Sequence, residues 1–122
     1  MKNEKKAFIS YSHKDKRYCE LLIEGLKSHS LHSHVFDWNL WDDRKIEIGY
    51  DWHNHIQEQI TLCDFAILLI SPDFFYSDYI SEYELNVFFK RNKDEEQFFF
   101  FPVLIRDFDY KRINWLSKNN FL

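Results

Sequence analysis

The sequence is poor in glycine, cysteine and proline, with two of each among 122 residues. With only Gly25 and Gly49 available, it can form neither the GxGxxG fingerprint of dinucleotide-binding folds nor the GxxxxGK phosphate loop. Cys19 and Cys63 are far apart and outside any paired spacing, which indicates free thiols in a reducing compartment. These absences exclude two large classes of nucleotide-binding protein and a disulfide-stabilised secreted domain.

The chain also lacks an excess of basic residues and any long apolar run. Its formal net charge is -4 and its pI is near 5.8, which argues against a general binder of nucleic-acid phosphates. No apolar run approaches the ~18 residues needed to span a membrane, and the polar start Met1–Lys6 does not resemble a signal peptide. We therefore expect a cytoplasmic, soluble domain that binds neither nucleic acid nor membrane.

Aromatic residues, by contrast, are abundant at 20% of the chain, including 13 Phe. Each buries a large area, so a chain of single-domain length can still form a substantial core. Apolar runs alternate with amphipathic segments, a pattern typical of βαβ units and a doubly wound parallel sheet. The predicted strands are Ala7–Tyr11, Val35–Leu40, Asp64–Ser71 and Phe98–Ile105, and the predicted helices are Asp15–His29, Asp51–Leu62 and Tyr79–Arg91.

The same patterns predict which side chains are buried. The uninterrupted run Phe98–Ile105 predicts a strand buried on both faces. The alternative is an aggregation-prone edge strand, which the flanking charges Asp94, Glu95 and Glu96 would guard against. Asn92–Gln97 before the run predicts a charged turn. We expect Cys63 in the core, Cys19 on the surface or flank of the first helix, and Asp51 as the N-cap of the second helix. The predicted apolar stripe of the first helix is Tyr18, Leu21, Leu22, Gly25 and Leu26, and that of the second is Trp52, Ile56, Ile60 and Cys63.

Several catalytic chemistries find no support in the sequence. His53 and His55 stand two apart on a predicted helix and point to different sides, so they cannot share a metal ion there. A serine hydrolase would need a GxSxG elbow, which is missing. A response regulator would need an acceptor Asp at the end of the third strand, where Ser71 and Pro72 stand instead. We expect no metal and no cofactor.

Three stretches follow the predicted strands at their carboxyl ends, where doubly wound sheets bind ligands. They are FISYSHKD (8–15), WDDRKIEIGYDW (41–52) and SPDFFYSDYISEYEL (71–85). In this order and spacing they resemble the successive boxes of bacterial Toll/interleukin-1 receptor (TIR) domains, and together they span most of residues 7 to 90. The resemblance implies an α/β fold, a flavodoxin-like doubly wound parallel sheet of four to five strands in the order 2-1-3-4-5, flanked by helices.

The resemblance also implies cleavage of NAD⁺ at its nicotinamide–ribose bond, with Glu84 as the catalytic carboxylate. Family members often carry this Glu four residues after an aromatic residue, whereas Glu82 and Glu84 stand three and five residues after Tyr79. The pair Glu84-Leu85 matches the usual Glu-apolar step, so Glu84 is the candidate and Glu82 the alternative. The residues expected around the substrate are Phe8, Ser10, Tyr11, Asp43, Ile48, Gly49, Trp52, Ser71, Ser77 and Tyr79.

Other roles stay open for four of these residues. Phe8 and Trp52 also suit plain core packing, Gly49 suits a loop conformation with positive φ, and Asp43 suits a surface or helix-capping acid. The alternative function is a non-catalytic module that assembles with other TIR domains in signal transduction. The family likeness further suggests homotypic assembly and bacterial defence against phage. We interpret residues 1–122 as one domain, the N-terminal part of a longer protein with an unknown sensor or effector domain, whose last strand and helix are truncated or degenerate.

Overall fold

A four-stranded, all-parallel sheet forms the centre of the protein in a computed structural model, which describes residues 3–33, 36–42, 51–109 and 113. The strand order is β2-β1-β3-β4, so β1 and β3 lie side by side in the middle. This confirms the predicted fold class and the order of its first four strands. The strands are β1 (Asn3–Ser10), β2 (Phe36–Trp41), β3 (Phe65–Ile70) and β4 (Phe99–Leu104).

Helices connect consecutive strands, as parallel pairing requires. The helix α2 begins after Asp51, whose carboxylate accepts the backbone N–H of Asn54, as predicted for its N-cap. Pro72 occupies the first turn of a short helix, and no helix in the described part of the chain is long and apolar enough to cross a membrane. The helices are α1 (Lys16–His32), α2 (Trp52–Leu62), α3 (Pro72–Tyr76), a π-helical turn (Ile80–Leu85) and α4 (Asn86–Asp94), with a 3₁₀ turn at His13–Asp15.

The sheet buries both of its faces because side chains alternate along each strand. On β3, Ala66, Leu68 and Ile70 face a core built with α2, α3, the π-helical turn and α4, whereas Ile67 and Leu69 face α1. Large aromatic side chains fill the first core, where Phe74 and Phe88 are fully buried. The aromatic-rich composition therefore serves the core as expected.

The buried stripe of α1 is shifted by one residue along the helix from the predicted stripe. Cys19 and Ile23 face the sheet, whereas Tyr18 is 40% and Leu21 49% exposed. The expectation that Cys19 lies on the surface or flank of the helix is therefore wrong, since its side chain is fully buried. Leu22 and Leu26 lie between the two stripes and pack on the core in either register. Cys63 is buried as predicted.

Strand β4 is not buried on both faces, which corrects a second prediction. It pairs with β3 along one side and forms the edge of the described sheet. Phe99 is 53% and Phe101 40% exposed, because α1, the helix on their face of the sheet, packs over residues of β1, β2 and β3 rather than over these two rings. Helix α4 also extends to Asp94, so the predicted turn at Asn92–Gln97 begins later than expected.

Candidate functional site

A cleft of about 510 Å³ opens at the carboxyl end of the sheet. One wall is the segment after β1, and the other is formed by the start of α2 and the segment from Ser77 into the π-helical turn. This is the edge at which doubly wound sheets bind ligands. The described residues lining it are Tyr11, Ser12, His13, Lys14, Trp52, Ile56, Ser77, Tyr79, Ile80 and Glu84.

Glu84 is a buried carboxylate in the wall of this cleft, with 7% of its surface exposed. The hydroxyl of Ser10, the last residue of β1, donates a hydrogen bond to Glu84 Oε1 at 2.7 Å. Burying a carboxylate is costly unless hydrogen bonds compensate for its lost water. Glu82, by contrast, lies on the exposed side of the same turn. The geometry therefore separates the two candidate acids, because Glu84 alone of this pair lines the cleft.

The backbone around Glu84 forms a π-helical turn rather than an α-helix. In an α-helix, residues five apart point about 140° away from each other. In the π-helical turn, residues five apart align instead: Tyr79 and Glu84 both line the cleft, while Ile80 and Leu85 are both buried in the core. Single π turns frequently occur at functional sites. The turn thus accommodates the five-residue spacing between Tyr79 and Glu84.

Aromatic rings form the rim of the cleft opposite the segment after β1. Trp52 and Tyr79 have ring centroids 5.0 Å apart, and Tyr79 lies equally close to Tyr83. His53 places its Nδ1 3.0 Å from the Tyr79 hydroxyl, and burial raises the pKa of that phenol, with the nearby charge of Glu84 adding to the effect. Trp52 is 53% exposed and lines the cleft, so part of its side chain is accessible from the cleft.

A group of charged side chains, here called the carboxyl-end cluster, joins three strand ends beside the cleft. Arg106, after β4, donates from Nε to Asp15 Oδ1 at 2.8 Å and from Nη2 to Asp73. Asp15 is 1% exposed and also accepts the Ser71 hydroxyl at 2.5 Å. The hydrogen bond from Arg106 lowers the pKa of Asp73, which also pairs with Lys14 Nζ at 3.6 Å.

The structure brings five of the predicted site residues together and places three others elsewhere. Phe8 is a core residue stacked on Trp41, with ring centroids 5.0 Å apart. Ser10 lies behind Glu84, and Ser71 is fully buried, where it caps α3 and binds Asp15. Lining the cleft are Tyr11, Trp52, Ser77, Tyr79 and Glu84, whereas Asp43, Ile48 and Gly49 lie outside the described residues.

The carboxyl-end cluster contains three residues that the sequence interpretation did not select. Asp15 lies in the first box, FISYSHKD, and its predicted role is only the start of a helix. Asp73 lies in the third box, SPDFFYSDYISEYEL, with no predicted role of its own. Arg106 stands directly after an apolar strand, a position at which doubly wound sheets place functional side chains. A charged residue at each of three strand ends was the available signal, although the ion pairs themselves join positions as far as 91 residues apart.

The chain is similar to known proteins at the level of a family and of an individual relative. The family model described as "TIR domain" matches residues 7–121 of the chain. An uncharacterized protein, y4lF, from Sinorhizobium fredii is 31% identical over 103 residues. That match covers 84% of this chain but 31% of the relative, so the chain spans about a third of the length of that relative.

Proposed function

This chain belongs to the TIR domain family, and we propose that its cleft binds NAD⁺ and cleaves the bond between nicotinamide and ribose. The observation that carries the proposal is the position of Glu84. Among the described residues lining the cleft, it is the only carboxylate, and it is buried and hydrogen-bonded. A fixed negative charge in a largely water-excluded site stabilises a developing positive charge better than a mobile, hydrated one does.

The reaction itself requires little more than such a charge. Cleavage of the C1′–N bond sends its electron pair to the nicotinamide ring, which is cationic in NAD⁺ and departs neutral. No general acid is needed for this leaving group, unlike in ordinary glycoside hydrolysis. The ribose carbon becomes oxocarbenium-like, and the Glu84 carboxylate stabilises it. Water then adds to C1′ and loses a proton, giving ADP-ribose, or an internal nucleophile adds and gives a cyclic isomer.

The surroundings of Glu84 suit the remaining parts of the substrate. Trp52 and Tyr79 offer ring surfaces on which a base can stack, and base–aromatic stacking contributes about 1–3 kcal/mol. On the opposite wall, Lys14 and His13 provide polar or cationic groups toward a pyrophosphate. On the same wall as Tyr79, Ser77 offers a hydroxyl just before the π-helical turn. A cleft of about 510 Å³ falls within the range of small-molecule sites.

We further propose that turnover depends on homotypic assembly and serves antiviral signalling in a bacterial cytoplasm. The alternative function is a TIR–TIR interaction module without chemistry. One observation favours that alternative: a second groove, on the α1 face, leaves Phe99 and Phe101 exposed beside Phe65 and Val103. Exposed aromatic patches of this kind often mark protein interaction surfaces. The two functions are compatible, because assembly can precede catalysis.

The deciding experiment measures nicotinamide release from NAD⁺ by the domain, both dilute and clustered on a fused oligomeric scaffold. We expect the clustered wild type to turn over and Glu84→Gln to lose at least about a hundredfold in rate, since it removes the charge and keeps the shape. Glu82→Gln is the matched control and should retain full activity. Far-ultraviolet circular dichroism and thermal unfolding check that each variant is folded.

Two results would contradict the proposal in different ways. Loss of activity in Glu82→Gln with activity kept in Glu84→Gln would move the catalytic role to the exposed acid. Absence of turnover by the clustered wild type would favour the interaction module, which can then be examined by measuring assembly of Phe99→Glu and Phe101→Glu variants.

A further inference from the structure

Ser10 is too deeply buried to serve as an open binding group, although it lies at the functional edge of the sheet. Its exposed surface is 1%, and it is absent from the described residues that line the cleft. Its hydroxyl points from the end of β1 to Glu84 Oε1 at 2.7 Å. A substrate in the cleft would therefore meet Glu84 while Ser10 stays behind it.

We propose that Ser10 is a positioning residue that fixes the Glu84 carboxylate, in combination with the π-helical turn Ile80–Leu85. The inference rests on the proposed function and specifies how the charge is held. An acid on a helix has three rotatable side-chain bonds, and freezing them costs up to about 2 kcal/mol of conformational entropy. A hydrogen bond from a rigid central strand keeps one carboxylate oxygen at a defined place before substrate arrives.

The π-helical turn explains why this contact exists at all. Leu85 and Phe88 anchor the helix in the core downstream, and Ile80 anchors it upstream. With both anchors in place, the additional residue in the turn sets the direction of Glu84, since each residue rotates an α-helix by about 100°. The carboxylate then points at the end of β1, which is the central strand next to β3. Strand and turn together define one position for the charge.

The kinetic test compares Ser10→Ala with Ser10→Thr in the clustered, NAD-cleaving protein. We expect Ser10→Ala to lower kcat about tenfold to a hundredfold, because misplacing a catalytic group by about 1 Å has effects of that size. KM should stay within about twofold, since Ser10 does not contact substrate. Ser10→Thr keeps the hydroxyl on a strand-compatible side chain and should recover most of kcat. A raised KM with unchanged kcat, or no recovery in Ser10→Thr, would overturn the proposal.

A second control separates positioning from general loss of stability. Ser30→Ala removes another serine hydroxyl, one that accepts the backbone N–H of Trp38 at 3.0 Å far from the cleft. It should lower thermal stability without changing the NAD kinetics of folded protein. Equal kinetic losses in Ser10→Ala and Ser30→Ala would show that the Ser10 effect is merely structural, and the proposal would fall.

A thermodynamic cycle keeps the inference testable apart from catalysis. Ser10→Ala should shift the unfolding equilibrium toward the unfolded state about tenfold in the wild-type background, the effect expected for a hydrogen bond to a charged group. In a Glu84→Ala background the same change should have less than about a twofold effect, because its partner is gone. Absence of this coupling would overturn the positioning role. Failure of wild-type turnover would overturn the proposed function, while the measured coupling still decides whether Ser10 fixes Glu84.

Discussion

Two arginines occupy opposite ends of the parallel sheet and bind very different partners. At the carboxyl end, Arg106 binds the carboxylates of Asp15 and Asp73. At the amino end, Arg91 donates from Nη1 to the carbonyl oxygens of Ile60 and Cys63, at 2.9 and 2.8 Å. Arg91 completes an amino-end cluster with Glu95, which its Nε binds at 2.8 Å, and with Phe98, whose ring centroid lies 3.9 Å from its guanidinium carbon.

The different partners of Arg91 and Arg106 indicate that the two ends of the sheet serve stability and function to different degrees. The partners of Arg91 are backbone carbonyls at the end of α2, where helix carbonyls have no intrahelical N–H donor, so this arginine completes a helix terminus. The partners of Arg106 are side chains from two other strand ends, so this arginine fixes the loops that carry His13 and Lys14 into the cleft. We infer that the amino end chiefly holds the fold and the carboxyl end chiefly shapes the candidate site.

The largest effect on stability should follow from Arg91→Met, which keeps much of the apolar stem and removes the donors. The Cys63 carbonyl loses the guanidinium donor, and the Ile60 carbonyl keeps only the weak donor of the Cys63 thiol. Each unsatisfied buried group costs about 1–3 kcal/mol. We expect the free energy of unfolding to fall by about 3 kcal/mol in urea titration at pH 7. The NAD-cleaving rate of the remaining folded protein should be unchanged, because Arg91 lies at the other end of the strands.

Glu95→Gln is the matched control for Arg91→Met. It removes the charge that Arg91 pairs with but leaves the donors to Ile60 and Cys63 in place. Since Glu95 is exposed, its loss should have a much smaller effect on unfolding. If Glu95→Gln proved as damaging as Arg91→Met, the ion pair rather than the carbonyl contacts would hold this end of the fold.

At the carboxyl end, Arg106→Met should reduce catalysis as well as stability, because it leaves the buried Asp15 carboxylate with the Ser71 hydroxyl but without its cation. Asp15 loses its cation, and the turn that carries His13 and Lys14 loses its connection to β4. On the proposed function, we expect kcat/KM for NAD⁺ to fall about tenfold, an effect of imprecise positioning. Arg106→Lys keeps the charge without the two-pronged geometry and should give an intermediate loss. Unchanged kcat/KM in Arg106→Met would contradict the inference that the carboxyl end of the sheet shapes the candidate site.

Much of the fold could be predicted from the sequence because apolar runs and helical periodicity are local signals. They identified all four described strands and the Asp51 cap. The edge position of β4 was only the alternative interpretation, because burial of a strand depends on what packs over it, which a run of Phe does not reveal. Pro102 within that run was the available hint, since proline in sheets favours edge strands. On α1, Leu22 and Leu26 fit two stripes, so periodicity alone could not choose the one with Cys19.

In the candidate site, too, features with a local sequence signal could be predicted, and features that depend on tertiary placement could not. Three local boxes predicted that Tyr11, Trp52, Ser77, Tyr79 and Glu84 belong near one another, and they do line one cleft. The π-helical turn could not be predicted, because six residues carry no recognisable period of their own. The carboxyl-end cluster was also missed, since its ion pairs join residues from separate loops and depend on tertiary placement.

A smaller effect on the free energy of unfolding should appear as the pH is lowered. Its pH dependence allows the carboxyl-end cluster to be compared with the amino-end cluster. Hydrogen bonds from Arg106 and Arg91 hold the pKa of Asp73 below its ordinary 3.8 and that of Glu95 below its ordinary 4.5. A carboxyl with a lowered folded-state pKa contributes stability above its ordinary pKa and loses it as pH falls through the folded-state value. In urea titrations, Asp73→Asn and Glu95→Gln should therefore differ from wild type at pH 7 and converge with it near pH 2.

These two variants should differ in activity at pH 7. Asp73→Asn loosens a residue that pairs with Arg106 and Lys14 beside the cleft, so its kcat/KM should fall by a few-fold. Glu95→Gln should match wild type. A decrease in Glu95→Gln as large as that in Asp73→Asn would mean that the two ends of the sheet are not functionally distinct.

The smallest effect is a change in the reactivity of Cys63 at the amino end. Burial raises the pKa of its thiol to about 11 despite the opposing influence of Arg91, so only about one molecule in a thousand carries the reactive thiolate at pH 8. In a Cys19→Ala background, we expect slow labelling of native Cys63 by iodoacetamide. Arg91→Met both removes a nearby cation, which lowers thiolate content, and loosens the end of α2, which exposes the thiol. We expect faster labelling, because Arg91 holds the end of α2 and its loss opens this region. Slower labelling would contradict this structural role and show that the arginine acts there mainly through its charge.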